Sequence, residues 1–153
     1  MKVRLFAAAA GLALSFAAAL PAHAQFAKPS DAIKYRQAAM RLMSTHFGRV
    51  AAMANGKAPY DPKVAGENAD LFAMLAKLPF DAFGPGTDKG GDTDAKPEIW
   101  KEADHFKKHT DELLDAAAKL PAAARSGDLA QLKAATGAVG KTCKACHDHF
   151  KND

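Results

Sequence analysis

Cys143, Cys146 and His147, inside "KTCKACHDHF" at residues 141–150, are the side chains best suited to chemistry, and the stretch holds both cysteines of the chain. A Cys-x-x-Cys-His run can be a redox dithiol, part of a metal site, or a covalent attachment point for haem. On a helix, residues three and four apart share a face, so the two thiols and the imidazole converge on one patch. A haem linked to both sulfurs, with its iron reached by His147 from the same side, uses all three groups at this spacing. A nucleophilic dithiol fits less well, because the dipole late in a C-terminal helix raises a thiol's pKa where a helix N-terminus would lower it. Structural zinc wants four ligands, and the next candidate, His149, points about 200° away from His147 around the helix. Haem is the favoured reading, with dithiol and zinc as alternatives.

The elements that must position these groups are helices. The first follows "KPSD", with Pro29 at an N-terminal position, and carries the stripe Ile33, Met40, Met43, Phe47, Val50, Ala54 before stopping at Asn55-Gly56. A second opens at Asp61-Pro62, carries Val64, Ala65, Leu71, Phe72, Leu75 and Leu78, and closes at Pro79. Residues 79–97, "PFDAFGPGTDKGGDTDAKP", have no sustained period and read as a long loop, tied to the core by Phe80 and Phe83. A third helix starts near Pro97-Glu98 with the stripe Ile99, Ala103, Phe106, Thr110, Leu113, Ala117, Leu120, and Pro121 follows as a stop signal. Asp128 caps a fourth, whose stripe Leu129, Leu132, Thr136, Val139, Cys143, Cys146, Phe150 puts both cysteines toward the core. No segment alternates with period two over a useful length, so the expected fold is all-α, an antiparallel four-helix bundle.

The chain opens with Lys2 and Arg4, an apolar run from Leu5 to Leu20, and Ala22-His23-Ala24. This is the layout of a secretory signal peptide, residues 1–24, with cleavage after Ala24 and export to the periplasm; residues 25–153 form one domain. The formal net charge is only +4 before Lys2 and Arg4 are lost, and no basic run is interleaved with aromatics. Binding to nucleic acid or to a membrane surface is therefore not expected. No paired carboxylates, nucleophile–base constellation or phosphate loop appears, so no enzyme activity is expected. His105 and His109, one turn apart, flank the third stripe and are expected in solvent; His46 and Trp100 are expected to be structural.

Four stretches carry a family likeness: "QFAKPSDAIKYRQAAM" from Gln25, "FGPGT" at 83–87, "PEIW" at 97–100 and "CKACHDHF" at 143–150. Together they make the mature chain resemble cytochrome c′, the high-spin branch of the class II cytochromes c. The resemblance implies one haem c between the four helices, attached through Cys143 and Cys146, with His147 as the single protein ligand to iron. It also implies electron transfer or binding of small diatomic gases such as NO and CO, and a homodimer built on the first two helices. Arg36 and Gln37 match residues that contact the haem propionates, and Met43, Phe80, Phe83, Phe150 and Lys151 are expected to line the pocket. Lys151 stands where the family often has arginine. The distal lid falls at Met40, where leucine is commoner; packing is the favoured role for this flexible side chain. In the alternative, Met40 is the sixth ligand of a low-spin electron carrier, as a first-helix methionine is in low-spin class II cytochromes.

Overall fold

The computed structural model describes residues 25–152, so the leader 1–24 with its expected cleavage site lies outside the described residues. The helices are α1 (Pro29–Ala54), α2 (Pro62–Leu75), α3 (Glu98–Lys101), α4 (Ala103–Arg125) and α5 (Leu129–Phe150), with a 3-10 turn at Leu78–Ala82. The four long ones form the antiparallel bundle: α1 packs on α2, α2 on α4, α4 on α5, and α5 back on α1. Among the described residues no strand occurs, only an isolated bridge between Ala95 and Lys151.

Local chemistry explains the helix ends. Pro29 and Pro62 occupy first-turn positions, where a missing N–H costs nothing. Asp61 Oδ1 accepts from the backbone N–H groups of Lys63 and Val64 at 2.8 and 3.1 Å, and Asp128 Oδ1 does the same for Ala130 and Gln131 at 2.8 and 3.2 Å. Gly56 and Gly127, at φ of 69° and 75°, take the left-handed conformation that lets the chain reverse after α1 and α4.

Three sequence expectations need correction. The third helix is broken at Glu102 (φ −117°, ψ 50°), which separates the short α3 from α4. The break turns Trp100 so that its indole N–H donates to Phe83 O and Gly84 O at 2.9 and 3.1 Å. Pro121 does not stop α4, which runs on to Arg125; Leu120 and Ala124, on either side of the ring, are fully buried and hold the last turn by packing. Val64, Leu71 and Leu129, all read as core-facing, are exposed. On α2 the buried stripe keeps Ala65, Phe72 and Leu75 of the expected set and adds Ala69, and its two alanines let the helix come close to its neighbours.

The core between the helices is built on Val50, Phe72, Leu120, Leu132 and Val139. Leu120 has no accessible surface, so truncation removes transfer energy and leaves a cavity. Leu120→Ala is expected to lower the unfolding free energy by about 3 kcal/mol, as read from guanidinium titrations of the mature protein.

Candidate functional site

One large cavity, of about 820 Å³, is enclosed by α1, the 3-10 turn and the segment after it, α4 and α5. That size lies within the roughly 300–1,000 Å³ usual for cofactor sites. Cys143, Cys146 and His147 line its α5 wall, Met40 and Met43 its α1 wall, and Phe80, Phe83 and Phe150 add aromatic surface. Arg36, Gln37 and Lys151 complete the set, so every residue that the sequence and its family likeness assign to the haem site borders the same space. The two cysteines are half-buried, while His147, Gln37 and Lys151 are exposed.

Electrostatics on the α5 wall separate the alternatives for the cysteines. Burial pushes the Cys143 thiol up, and burial together with the neighbouring Cys143 raises Cys146 to about 11. Both are protonated near neutral pH, the opposite of what a reactive dithiol needs. Partial desolvation at the cavity wall, then Lys151, hold the His147 imidazole below its ordinary value, with Asp148 opposing; the neutral ring keeps the lone pair that a metal requires. His149 does not join them: its Nε2 lies 2.8 Å from Glu102 Oε2, so no four-ligand zinc site forms around the cysteines.

The irregular segment beyond the 3-10 turn is held as a roof over this space, chiefly by Arg36. This side chain is buried, although it is charged. Its Nη1 donates to Ala82 O and Thr87 Oγ1 at 3.0 and 3.1 Å, and its Nη2 to Thr87 O and Thr93 Oγ1 at 3.0 Å each. The guanidinium also sits 4.4 Å from the centre of the Phe83 ring. Burial lowers its pKa and Asp88 opposes the shift. Gln37 Nε2 donates to Asp92 O at 2.9 Å, and Lys151 Nζ lies 3.3 Å from Asp94 Oδ2. The far end of the segment is pinned to the end of α5: Lys96 N–H donates to Phe150 O at 2.9 Å and Asn152 N–H to Asp94 O at 2.8 Å.

Two contributors escaped sequence reasoning. Phe106 joins an aromatic cluster with Phe80, Phe83 and Phe150, at centroid distances of 5.9, 5.1 and 5.3 Å, and borders the cavity. Its place on the apolar stripe signalled burial but not what it would touch. Gly140 lines the cavity three residues before Cys143 and seven before His147, and a Cβ built there meets nothing within 4 Å. The missing side chain leaves a flat stretch of helix beside the cysteines, and the i−3 glycine was the available signal. His46 is structural as expected, with Nδ1 3.0 Å from Asn68 Oδ1.

A family model described as Cytochrome C' matches residues 31–151. Cytochrome c' of Rubrivivax gelatinosus is 59% identical over 127 residues, covering 83% of this chain and 98% of that protein. The chain belongs to the cytochrome c′ family. The crystal structure of cytochrome c' from Rubrivivax gelatinosus superimposes with a TM-score of 0.81 at 58% identity, over 84% of this chain and all of that one. A nitric oxide complex of a mutant cytochrome c prime from Alcaligenes xylosoxidans gives 0.78 at 50% identity, over 84% of this chain and 99% of that one. Cytochromes c′ carry one covalently bound haem c per chain, and this is the cofactor of the present protein. The residues fit it: an apolar cavity of cofactor size has two thiols and a neutral imidazole on a single wall and a glycine that keeps that wall flat.

The roof should depend on the buried guanidinium of Arg36. Arg36→Ala is expected to cost about 3 kcal/mol, because four carbonyl and hydroxyl acceptors lose a charged donor. Hydrogen exchange should then show protection lost first across residues 82–93.

Proposed function

We propose that the protein is an exported cytochrome c′ in which Cys143 and Cys146 hold the haem through thioether bonds and His147 is the only protein ligand to its iron. Export to the periplasm follows from the leader, with cleavage after Ala24. The carrying observation is the common placement of both thiols, the imidazole and the Met40 thioether on the walls of one cavity. When bound, the haem iron supplies one-electron chemistry and a coordination position for a neutral diatomic ligand such as NO or CO.

The side chains decide what reaches that position. Met40 and Met43 offer an apolar α1 wall, and Phe80, Phe83 and Phe106 continue it. A charged ligand entering among them would shed its hydration without a partner, whereas NO and CO would not. Met40 acts as the lid: it is partly buried and packs against the core, in a side chain flexible enough to move aside. Gln37 and Lys151, exposed on the same side of the cavity, can offer amide hydrogen and positive charge to the propionates, and Arg36, whose Nη donors hold the roof, adds its charge beside them. The function is electron transfer or reversible gas binding, with no catalytic step assigned to any residue. The relative from Alcaligenes xylosoxidans, studied as a nitric oxide complex, supports the gas-binding side of this reading.

Dimerisation through α1 and α2 belongs to the same proposal. Leu42, Val64, Leu71 and Met74 are exposed on these two helices, Met74 at 61% of its surface, and α1 and α2 pack side by side. Val64, Leu71 and Met74, at steps of seven and three, share one face of α2, and an apolar face of this kind is ordinarily covered by a partner.

The haem-loaded protein should show high-spin visible and resonance Raman bands that change on adding NO. Low-spin bands insensitive to CO would instead mean that Met40 ligates the iron. Met40→Ala should speed CO association about tenfold, equivalent to a barrier about 1.4 kcal/mol lower; an unchanged rate removes Met40 as the lid. The pair Leu71→Glu and Met74→Glu should convert a sedimenting dimer into a monomer, and a species that is monomeric without them removes the dimer.

A further inference from the structure

The start of α4 meets the last turn of α5 in a cluster that haem binding leaves unused. Glu102 Oε2 lies 3.1 Å from His105 Nδ1 and 2.8 Å from His149 Nε2. These two imidazoles and the carboxylate bring their ligand atoms within 4.8 Å of one another. A fourth ring stands behind them, with His109 Nε2 3.1 Å from His105 Nε2. His109 is not in open solvent as its position on the stripe implied: its side chain is only 14% exposed, and its Nδ1 is buried without a hydrogen-bond partner. The rings are backed by Phe150, at centroid distances of 5.4, 5.7 and 4.5 Å from His105, His109 and His149.

We propose that Glu102, His105 and His149 form a binding site for a divalent late transition ion, Zn2+ or Cu2+, with His109 as the outer partner of His105. Two imidazoles and one carboxylate are a donor set for such ions, and the nitrogen ligands disfavour Mg2+ and Ca2+. Ligand distances of about 2.0–2.1 Å put donors about 3.3 Å apart around a tetrahedral ion, so Glu102 Oε2, now 3.1 and 2.8 Å from His105 Nδ1 and His149 Nε2, needs to draw back by only a few tenths of an ångström, while the two imidazole nitrogens, within 4.8 Å of each other, close on the ion. The ion takes the place of the two hydrogens now directed at Glu102 Oε2. Each imidazole keeps its proton by moving it to the other nitrogen: on His149 to Nδ1, and on His105 to Nε2, from which it is donated to His109 Nε2, whose own proton moves to Nδ1, 3.9 Å from Glu112 Oε2. That outer hydrogen bond fixes the His105 tautomer in the way ligating histidines usually require. Three protein ligands leave a position for water. A bound ion ties the break before α4 to the end of α5.

The haem-loaded mature protein, freed of other metals with EDTA, is titrated with Zn2+ by calorimetry. One ion per chain is expected. Glu102→Gln and His105→Ala should each weaken binding about 100-fold or more and His109→Gln about tenfold, the scale of ligand and outer-partner losses, while His46→Ala leaves it unchanged. Cu2+ added to the wild type should give an electron paramagnetic resonance spectrum with nitrogen hyperfine structure that His105→Ala alters. Absence of Zn2+ binding by the wild type, or wild-type affinity in Glu102→Gln and His105→Ala together, overturns the site. Glu102→Gln is a surface isostere, so its result does not hinge on folding.

Discussion

The pitch of one helix governs the site. Steps of three, four and seven residues put Gly140, Cys143 and His147 on a single face of α5, with Cys146 one residue from the imidazole. All four border the same cavity. Two thiols and an imidazole on one helical turn can address a flat group lying along the helix only if nothing projects between it and the backbone. Gly140 meets that condition, and a bundle that keeps its other helices apart at this level supplies the room. The proposed thioether bonds and axial ligation use the same register, so a shift of one residue in α5 would turn every one of these groups away.

The rest of the bundle supplies the walls and closes them. A long segment without periodic apolar residues has few ways to hold itself against a core. Here it is organised from below by Arg36, whose buried guanidinium binds carbonyl and hydroxyl oxygens of Ala82, Thr87 and Thr93. Desolvating a cation is costly, and only this number of directed acceptors, with the Phe83 face, offsets it. Trp100 grips the same segment from the other side, through the carbonyls of Phe83 and Gly84. The outcome is a cavity whose inner surface is largely apolar, with its charged side chains at Arg36, Arg41, Asp92, Asp94, Lys144 and Lys151.

The bundle was largely legible in the sequence because each long helix carries both an apolar stripe and an end signal. Pro62 with Asp61, and Asp128 before Leu129, mark starts that the hydrogen bonds reproduce. The cavity residues were legible for two reasons: periodicity placed the cysteines inward, and family likeness named the α1 and loop residues. What escaped was context. The break at Glu102 goes with tertiary contacts of Trp100 and the histidines, and no local residue announces it. Pro121 read as a stop because propensity is a local quantity, whereas burial of Leu120 and Ala124 is not. Arg36 could be placed near the cavity, but its four contacts lie 46 to 57 residues away in sequence. The meeting of His149 with Glu102 and His105 joins two helix ends and was equally invisible to spacing.

The central claim is that both sulfurs of α5 carry a porphyrin. Mass spectrometry of the processed protein, produced in a host able to attach haem and then denatured, tests it directly. The account predicts a single species with the mass of the polypeptide from Gln25 to Asp153 plus one haem, and with neither thiol available to an alkylating reagent. A polypeptide of bare mass with two alkylated cysteines, from the same host, would contradict it.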